Sequence, residues 1–480
     1  MREGIVAEHA ANAITHMPAG SPHRCRCVVE KKQWSSNLLF LITAIGTEAG
    51  IANFWKFTYL AGQNGGATFV FVYFLALVTL AVPALIAEML IGRYCGRSVA
   101  GCMRVLVERD KISPAWKSYG VIALVGIFLV LSFYFVVCGW MLRYCLLGLS
   151  GSFVRIQARQ AVAMYSAMMA SPVEMLACSG FFILLTTIVV AHGVNKGIER
   201  VSGVLTPLRF IILIGLCGYA AIVGDTAAAA RFLLSFRLDR LSADVVVIAV
   251  GQAFFSLGVG AGVLMTVGAY MKREYSIVKS VFTVAVAQGL VAVLAGFSIF
   301  PLVFAYGLEA THGPGLVFVT LPVAFGQMPY GAVFGTIMFL VLSFAGLTAT
   351  IVLLEAIVAF LEEYTPLSRA IATYSAGLAI WLAGFVTAFS FNLWRNIYPL
   401  ALLGFSSRRN AFELIDYLAS NIMLPVGGLM VALIAGWALS RAAVSRELGI
   451  GTGASFRLWY AMIRYLVPIA LGIVFLAIQG

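Results

Sequence analysis

A chain of 480 residues that is 61 % hydrophobic and 11 % charged, with a mean hydropathy of +0.97, is not a water-soluble globular protein, because soluble domains carry about 25 % charged residues. It reads as an all-α polytopic membrane protein. The formal charge of +12 calls for no nucleic acid, since much of the basic excess falls in connections that the positive-inside rule puts in the cytoplasm. No nucleophile–base pairing, phosphate loop or metal cluster is legible, so an enzyme is excluded. The close pair Cys25 and Cys27 makes neither a metal site nor a disulfide framework.

Residues 1–33 are polar and basic, without the apolar core or cleavage site of a signal peptide, and read as a cytoplasmic tail. Apolar runs then give about eleven spans, near 36–60, 67–92, 118–147, 173–191, 203–224, 243–270, 276–306, 330–361, 368–390, 412–439 and 456–478. The connection from Gly92 to Lys117 is basic and faces the cytoplasm. An amphipathic surface helix is expected within 150–172, a short basic turn at 193–200, and a long outer loop after the seventh span. The odd count puts the N-terminus inside and the C-terminus outside.

Two spans are anomalous. The first carries Gly46, Glu48, Gly50 and Asn53 in its middle. A charge at mid-bilayer costs roughly 3 kcal/mol on insertion scales and marks a functional site by default. The sixth is interrupted by Ser256-Leu-Gly-Val-Gly-Ala-Gly262. Glycine-broken helices are tolerated in lipid only where the freed backbone lines a protein cavity. Broken spans five apart point to inverted repeats with a binding site at their interface. The expected units are a tail (1–33), a first repeat (34–224), a second repeat (242–440) and an added helix (455–480).

Further stretches carry a resemblance: Trp34, Asn53-Phe-Trp-Lys-Phe57, Asn64-Gly-Gly66, Gly92-Arg-Tyr94, Lys196-Gly-Ile-Glu-Arg200, Gly313-Pro-Gly-Leu-Val-Phe-Val-Thr-Leu-Pro322, Phe344-Ala-Gly-Leu-Thr348 and Asp416-Tyr-Leu-Ala-Ser-Asn421. Together, in this order over 34–478, they resemble the neurotransmitter:sodium symporters, and in particular the bacterial amino-acid carriers of leucine-transporter type. The resemblance implies a 5+5 inverted-repeat fold with broken helices one and six, and alternating access driven by sodium across a bacterial inner membrane. It places substrate against Glu48, Gly50, Ile51, Ala52, Val130, Tyr134, Phe255, Ser256, Gly258, Ala261 and Leu353. One sodium would use Asn53, Ser256, Gln288 and the backbone at Glu48. Another would use Gly46, Ala49, Ala345 and Thr348, where the usual neighbouring hydroxyl is replaced by Ala349. Lys56 with Asp416 would gate the outside, and Lys31 with Glu363, Trp34 and Tyr270 the inside.

Glu48 departs from the family pattern. It reads as a sodium ligand, as a carboxyl whose proton replaces one sodium, or as the partner of a cationic substrate. Gly50 keeps room for a carboxylate and favours amino acids. Chloride-type surroundings (Tyr73, Gln252, Ser256) are present, but Ala292 offers no seventh-span carboxylate, so Glu48 is expected to supply that charge and make chloride unnecessary. Small residues at Gly258 and Ala261 predict a bulky aliphatic or aromatic neutral substrate. Glu88 is expected to partner the sixth-span backbone, and Glu355 is an ion- or proton-coupling candidate. One or two sodium ions, contact with lipid and a monomer or weak homodimer complete the expectations. The alternatives are a solute-binding membrane sensor and an amine carrier using Glu48.

Overall fold

The computed structural model describes residues 33–308, 315–402 and 409–479. Lys31, Cys25, Cys27 and the Gly313-Pro314 pair lie outside these. Among the described residues nine helices are long and apolar enough to cross a membrane: Ala67–Cys95, Pro114–Leu149, Pro172–Ala191, Val194–Val223, Ile277–Ala305, Gly331–Tyr364, Arg369–Phe389, Ala411–Ala438 and Ala454–Ala477. Asn37–Glu48 and Ile51–Gln63, bent by 45°, make a tenth. The interrupted pair Ala243–Ser256 and Val263–Ala269 holds the place of the sixth span.

Four of the helices loosen into a wide turn just before a proline. The wide turns are Leu77–Ala81, Leu316–Thr320, Tyr417–Met423 and Met462–Leu466; the prolines are Pro83, Pro322, Pro425 and Pro468. A proline ring clashes with the carbonyl four residues back and offers no N–H to it. Each turn relieves that clash by widening rather than ending the helix.

The connections hold more helix than expected. The basic turn at 193–200 is a correction: His192 and Gly193 make the turn, Gly193 at φ +94°, and Val194–Glu199 already coils into the fifth span. Glu199 there accepts the Ser35 backbone N–H (2.6 Å) and hydroxyl (2.5 Å), pinning the entry to the first span. Further helices lie between the expected spans: Leu316–Gln327 in the long outer loop, and Thr226–Leu234 and Arg441–Leu448 in other connections. The surface helix of the third connection is Ala158–Ala170. The third and eighth spans, Lys117–Leu149 and Gly331–Tyr364, pack along each other. At about 1.5 Å per residue each is near 50 Å long, so both reach beyond a bilayer core.

Candidate functional site

The first break follows from its sequence. Ser36 caps Asn37–Glu48 by accepting the Leu39 N–H, and Ala49 leaves helical geometry at ψ 51°. Gly50 is extended (φ −82°, ψ −163°), Ile51–Asn53 make a tight turn, and regular helix resumes at Lys56. A β-carbon on Gly50 would lie 3.1 Å from the Tyr134 hydroxyl, which faces the backbone N–H of Ile51. Free N–H groups and a phenol thus converge where the helix restarts, an arrangement suited to a carboxylate.

The second break is built differently. Gly258, Gly260 and Gly262 all have positive φ (53°, 93° and 77°). Gly260 lies so close to the Gly427–Gly428 backbone of the tenth span that a β-carbon would collide with Gly428 N and Leu424 O. Glu88, fully buried, accepts the Gly260 N–H at 2.8 Å and faces the N–H groups opening Val263–Ala269. This is the backbone role expected of Glu88 from its place in the second span.

Between the breaks lies a cavity of about 100 Å³. The structure brings Glu48, Gly50, Ala52, Val130, Tyr134, Phe255, Ser256, Gly258, Ala261, Ala349 and Leu353 to its walls, with Ile127, Val263 and Leu424 adding apolar surface. Ile51 lines a second space of about 270 Å³ beside it, with Trp55, Lys56, Tyr59 and Asp416. Ala52, Phe133, Tyr134 and Phe255 border both spaces and form the partition.

The Glu48 carboxylate lies 3.1 Å from where a Gly258 β-carbon would stand. The room left by the small residue at 258 is therefore bordered by the Glu48 carboxylate. Glu48 is 7 % exposed and has no hydrogen-bond or ion-pair partner among the described residues. A buried carboxylate without a partner is costly, and this one lines the cavity.

Around the first expected cation position, the Asn53 and Gln288 amides exchange hydrogen bonds at 3.0 and 2.8 Å. Ser256 pairs with the Tyr73 hydroxyl at 3.0 Å, and both polar atoms of buried Gln252 lack hydrogen-bond partners among the described residues. These are hard oxygen donors, the kind a sodium ion takes. At the second position the Thr348 hydroxyl lies 2.8 Å from Gly46 O and 3.1 Å from Ala345 O. The Arg209 guanidinium, unforeseen from sequence, donates to that same hydroxyl at 3.4 Å. Ala349 contributes only a methyl.

The gates differ from expectation. Lys56 and Asp416 share the outer space but form no ion pair among the described residues: Lys56 Nζ lies 4.0 Å above the Phe255 ring, and Asp416 accepts the Ser420 hydroxyl at 2.8 Å. Inside, Glu363 accepts the Ser98 N–H (2.8 Å) and hydroxyl (2.7 Å) at the start of Val99–Arg109, so its carboxylate is committed there. Trp34, 2 % exposed, bonds Val267 O at 3.0 Å and packs edge-on against Tyr270. Tyr270 donates to Glu355 (3.0 Å), and Arg369 bridges Glu355 and Glu362. Glu355 is thus bound in an ion pair, which removes it as a free coupling group. Arg369 was missed because nothing local joins it to Glu355, a span earlier in the chain.

A broken-helix cavity at the centre of such a bundle defines a secondary transporter of leucine-transporter type. A sequence model of the sodium:neurotransmitter symporter family matches residues 31–154 and 170–478, and the chain belongs to that family. It is 33 % identical over 451 residues to the uncharacterized sodium-dependent transporter YhdH of Bacillus subtilis, covering 93 % of this chain and 98 % of that one. An uncharacterized sodium-dependent transporter of Haemophilus influenzae is 30 % identical over 456 residues, covering 93 % and 98 %. The sodium- and chloride-dependent taurine transporter of Rattus norvegicus is 23 % identical over 386 residues, covering 70 % and 61 %. The crystal structure of MhsT in complex with L-phenylalanine superposes with a TM-score of 0.85 at 34 % identity, covering 93 % of this chain and 99 % of that one. The protein is accordingly a multi-pass, sodium-coupled symporter and not an enzyme.

Proposed function

We propose that this protein imports neutral amino acids with bulky aliphatic or aromatic side chains across a bacterial inner membrane. The observation that carries this reading is the cavity in which Gly50, Tyr134 and Phe255 meet beside an unpartnered Glu48. The substrate carboxylate sits on the N–H groups at Ile51 and Ala52 and on the Tyr134 hydroxyl. Its side chain lies toward Ile127, Val130, Val263 and Leu353. One cation takes Asn53, Ser256 and Gln288, with Glu48 beside it as the compensating charge, so chloride is not required. A cavity of 100 Å³ is below the roughly 300 Å³ of typical ligand sites, so substrate entry swings Phe255 outward into the adjoining space. Residues 34–224 and 242–440 act as the two repeats, with the N-terminus cytoplasmic and the C-terminus outside. Lys56 and Asp416 approach each other as the outer path closes; a lysine there gives a point contact rather than arginine's two-pronged one. Trp34 and Tyr270, held by Glu355 and Arg369, keep the inner path shut in this conformation.

Purified protein in proteoliposomes tests this. An inward Na⁺ gradient should concentrate radiolabelled phenylalanine or leucine, and an equal K⁺ gradient should not. Saturable binding without accumulation would point to a solute sensor instead.

The free Glu48 carboxylate favours one second reading, a carrier of cationic substrates. Competition decides between them: lysine-like or amine solutes displacing labelled phenylalanine more strongly than leucine does would favour that carrier.

A further inference from the structure

We infer that Arg209 is a built-in cation that takes the place of a second sodium ion, so that transport is coupled to one Na⁺. The inference deepens the sodium-symport reading above and rests on it. Arg209 lies in the middle of Val194–Val223, 1 % exposed, and forms no ion pair among the described residues. Among the described residues its Nε and Nη2 have no hydrogen-bond partner, and Nη1 donates only to Thr348 Oγ1. A buried guanidinium in this state is costly, so something about its position compensates.

That position is the C-terminal end of Asn37–Glu48. The last carbonyls of a helix have no partners within it and carry the negative end of its dipole, which favours a cation and disfavours an anion. Thr348 Oγ1 lies 2.8 Å from Gly46 O and accepts from Arg209, which closes the chain guanidinium–hydroxyl–carbonyl. Three of the oxygens that a second sodium would need, Gly46 O, Ala345 O and Thr348 Oγ1, are thereby tied to one another and to a fixed positive charge. Ala349 removes the other hydroxyl. Thr206, one turn before Arg209, places its unpartnered hydroxyl against Gly46, filling the remaining space. A sodium ion on Thr348 and Gly46 would sit within about 6 Å of the guanidinium. At an effective dielectric of about 20, that repulsion weakens binding on the order of a hundredfold. The residues therefore do not fit a second Na⁺. An arginine cannot dissociate with each cycle, so it supplies the charge without joining the stoichiometry.

Equilibrium binding of radioactive Na⁺ to purified full-length protein, at saturating phenylalanine, counts the ions. One ion per protein with a Hill coefficient near one supports the inference. Two ions would overturn it while leaving sodium symport intact, and none would overturn both. The double variant Arg209→Met/Ala349→Ser, which clears the charge and restores the hydroxyl, should bind a second ion and steepen the Na⁺ dependence of uptake. A folded double variant still binding one ion would contradict the role of Arg209. If the variant does not fold, the wild-type count decides.

Discussion

The two helix breaks reach the same geometry by opposite means. In the first span a single extended glycine suffices, and the surrounding side chains, Glu48, Asn53 and Tyr134, carry the chemistry. In the sixth, three glycines at positive φ and the Glu88 carboxylate hold the backbone open, and the side-chain chemistry comes from Phe255 and Ser256 just before them. The first break is thus a chemical element and the second a mechanical one. Substitutions at the glycines of the sixth should cost stability, whereas those at Gly50 and its neighbours in the first should change transport while sparing the fold.

The largest effect is expected at Gly260. A Gly260→Ala variant must carry a side chain at φ +93° and displace the Gly428 backbone, a cost of about 3 kcal/mol or more. Size-exclusion profiles in detergent should show no monodisperse protein. Arg369→Ala strands the buried Glu355 carboxylate that steadies Tyr270, and removing one partner of a buried pair costs about 3 kcal/mol. A thermal melt should fall by several degrees, with Glu355→Gln restoring much of the loss in the double variant. Glu88→Gln weakens a charge-assisted bond to Gly260 by about 1–2 kcal/mol, again read in the melt. At the first break, Gly50→Ala leaves the backbone unstrained but crowds the Tyr134 hydroxyl at 3.1 Å. The melt should be unchanged while KM for phenylalanine rises about tenfold, near 1.4 kcal/mol. Equal melting losses for Gly50→Ala and Gly260→Ala would erase the contrast between the two breaks.

Much of this was legible in the sequence, for identifiable reasons. Spans follow from apolar length, and both breaks from glycine clusters where a lipid-facing helix would not tolerate them. Glu88 was readable because a lone acid after Pro83 needs a partner and the sixth-span backbone has free N–H groups. Pairings between distant spans were not readable. Arg369 meets Glu355 and Glu362 only once the eighth and ninth helices fold back on each other. Glu363, adjacent to Glu362, is turned instead to Ser98. Arg209 left one faint signal, a single arginine within an apolar run, three residues after Thr206 and seven after Ser202, all on one helical face. Its role depends on the end of the first half-helix and on Thr348, which no local pattern brings to it.

Glu48 is where chemistry and coupling meet, and uptake by Glu48→Gln proteoliposomes measures it directly. With a Na⁺ gradient, the wild type should transport equally in chloride and in gluconate. The variant should lose uptake in gluconate and recover part of it in chloride, through the Tyr73, Gln252 and Ser256 donors. A Glu48→Gln protein with full uptake and unchanged Na⁺, Cl⁻ and pH dependence would contradict the assignment of Glu48 as the charge that balances the transported ion.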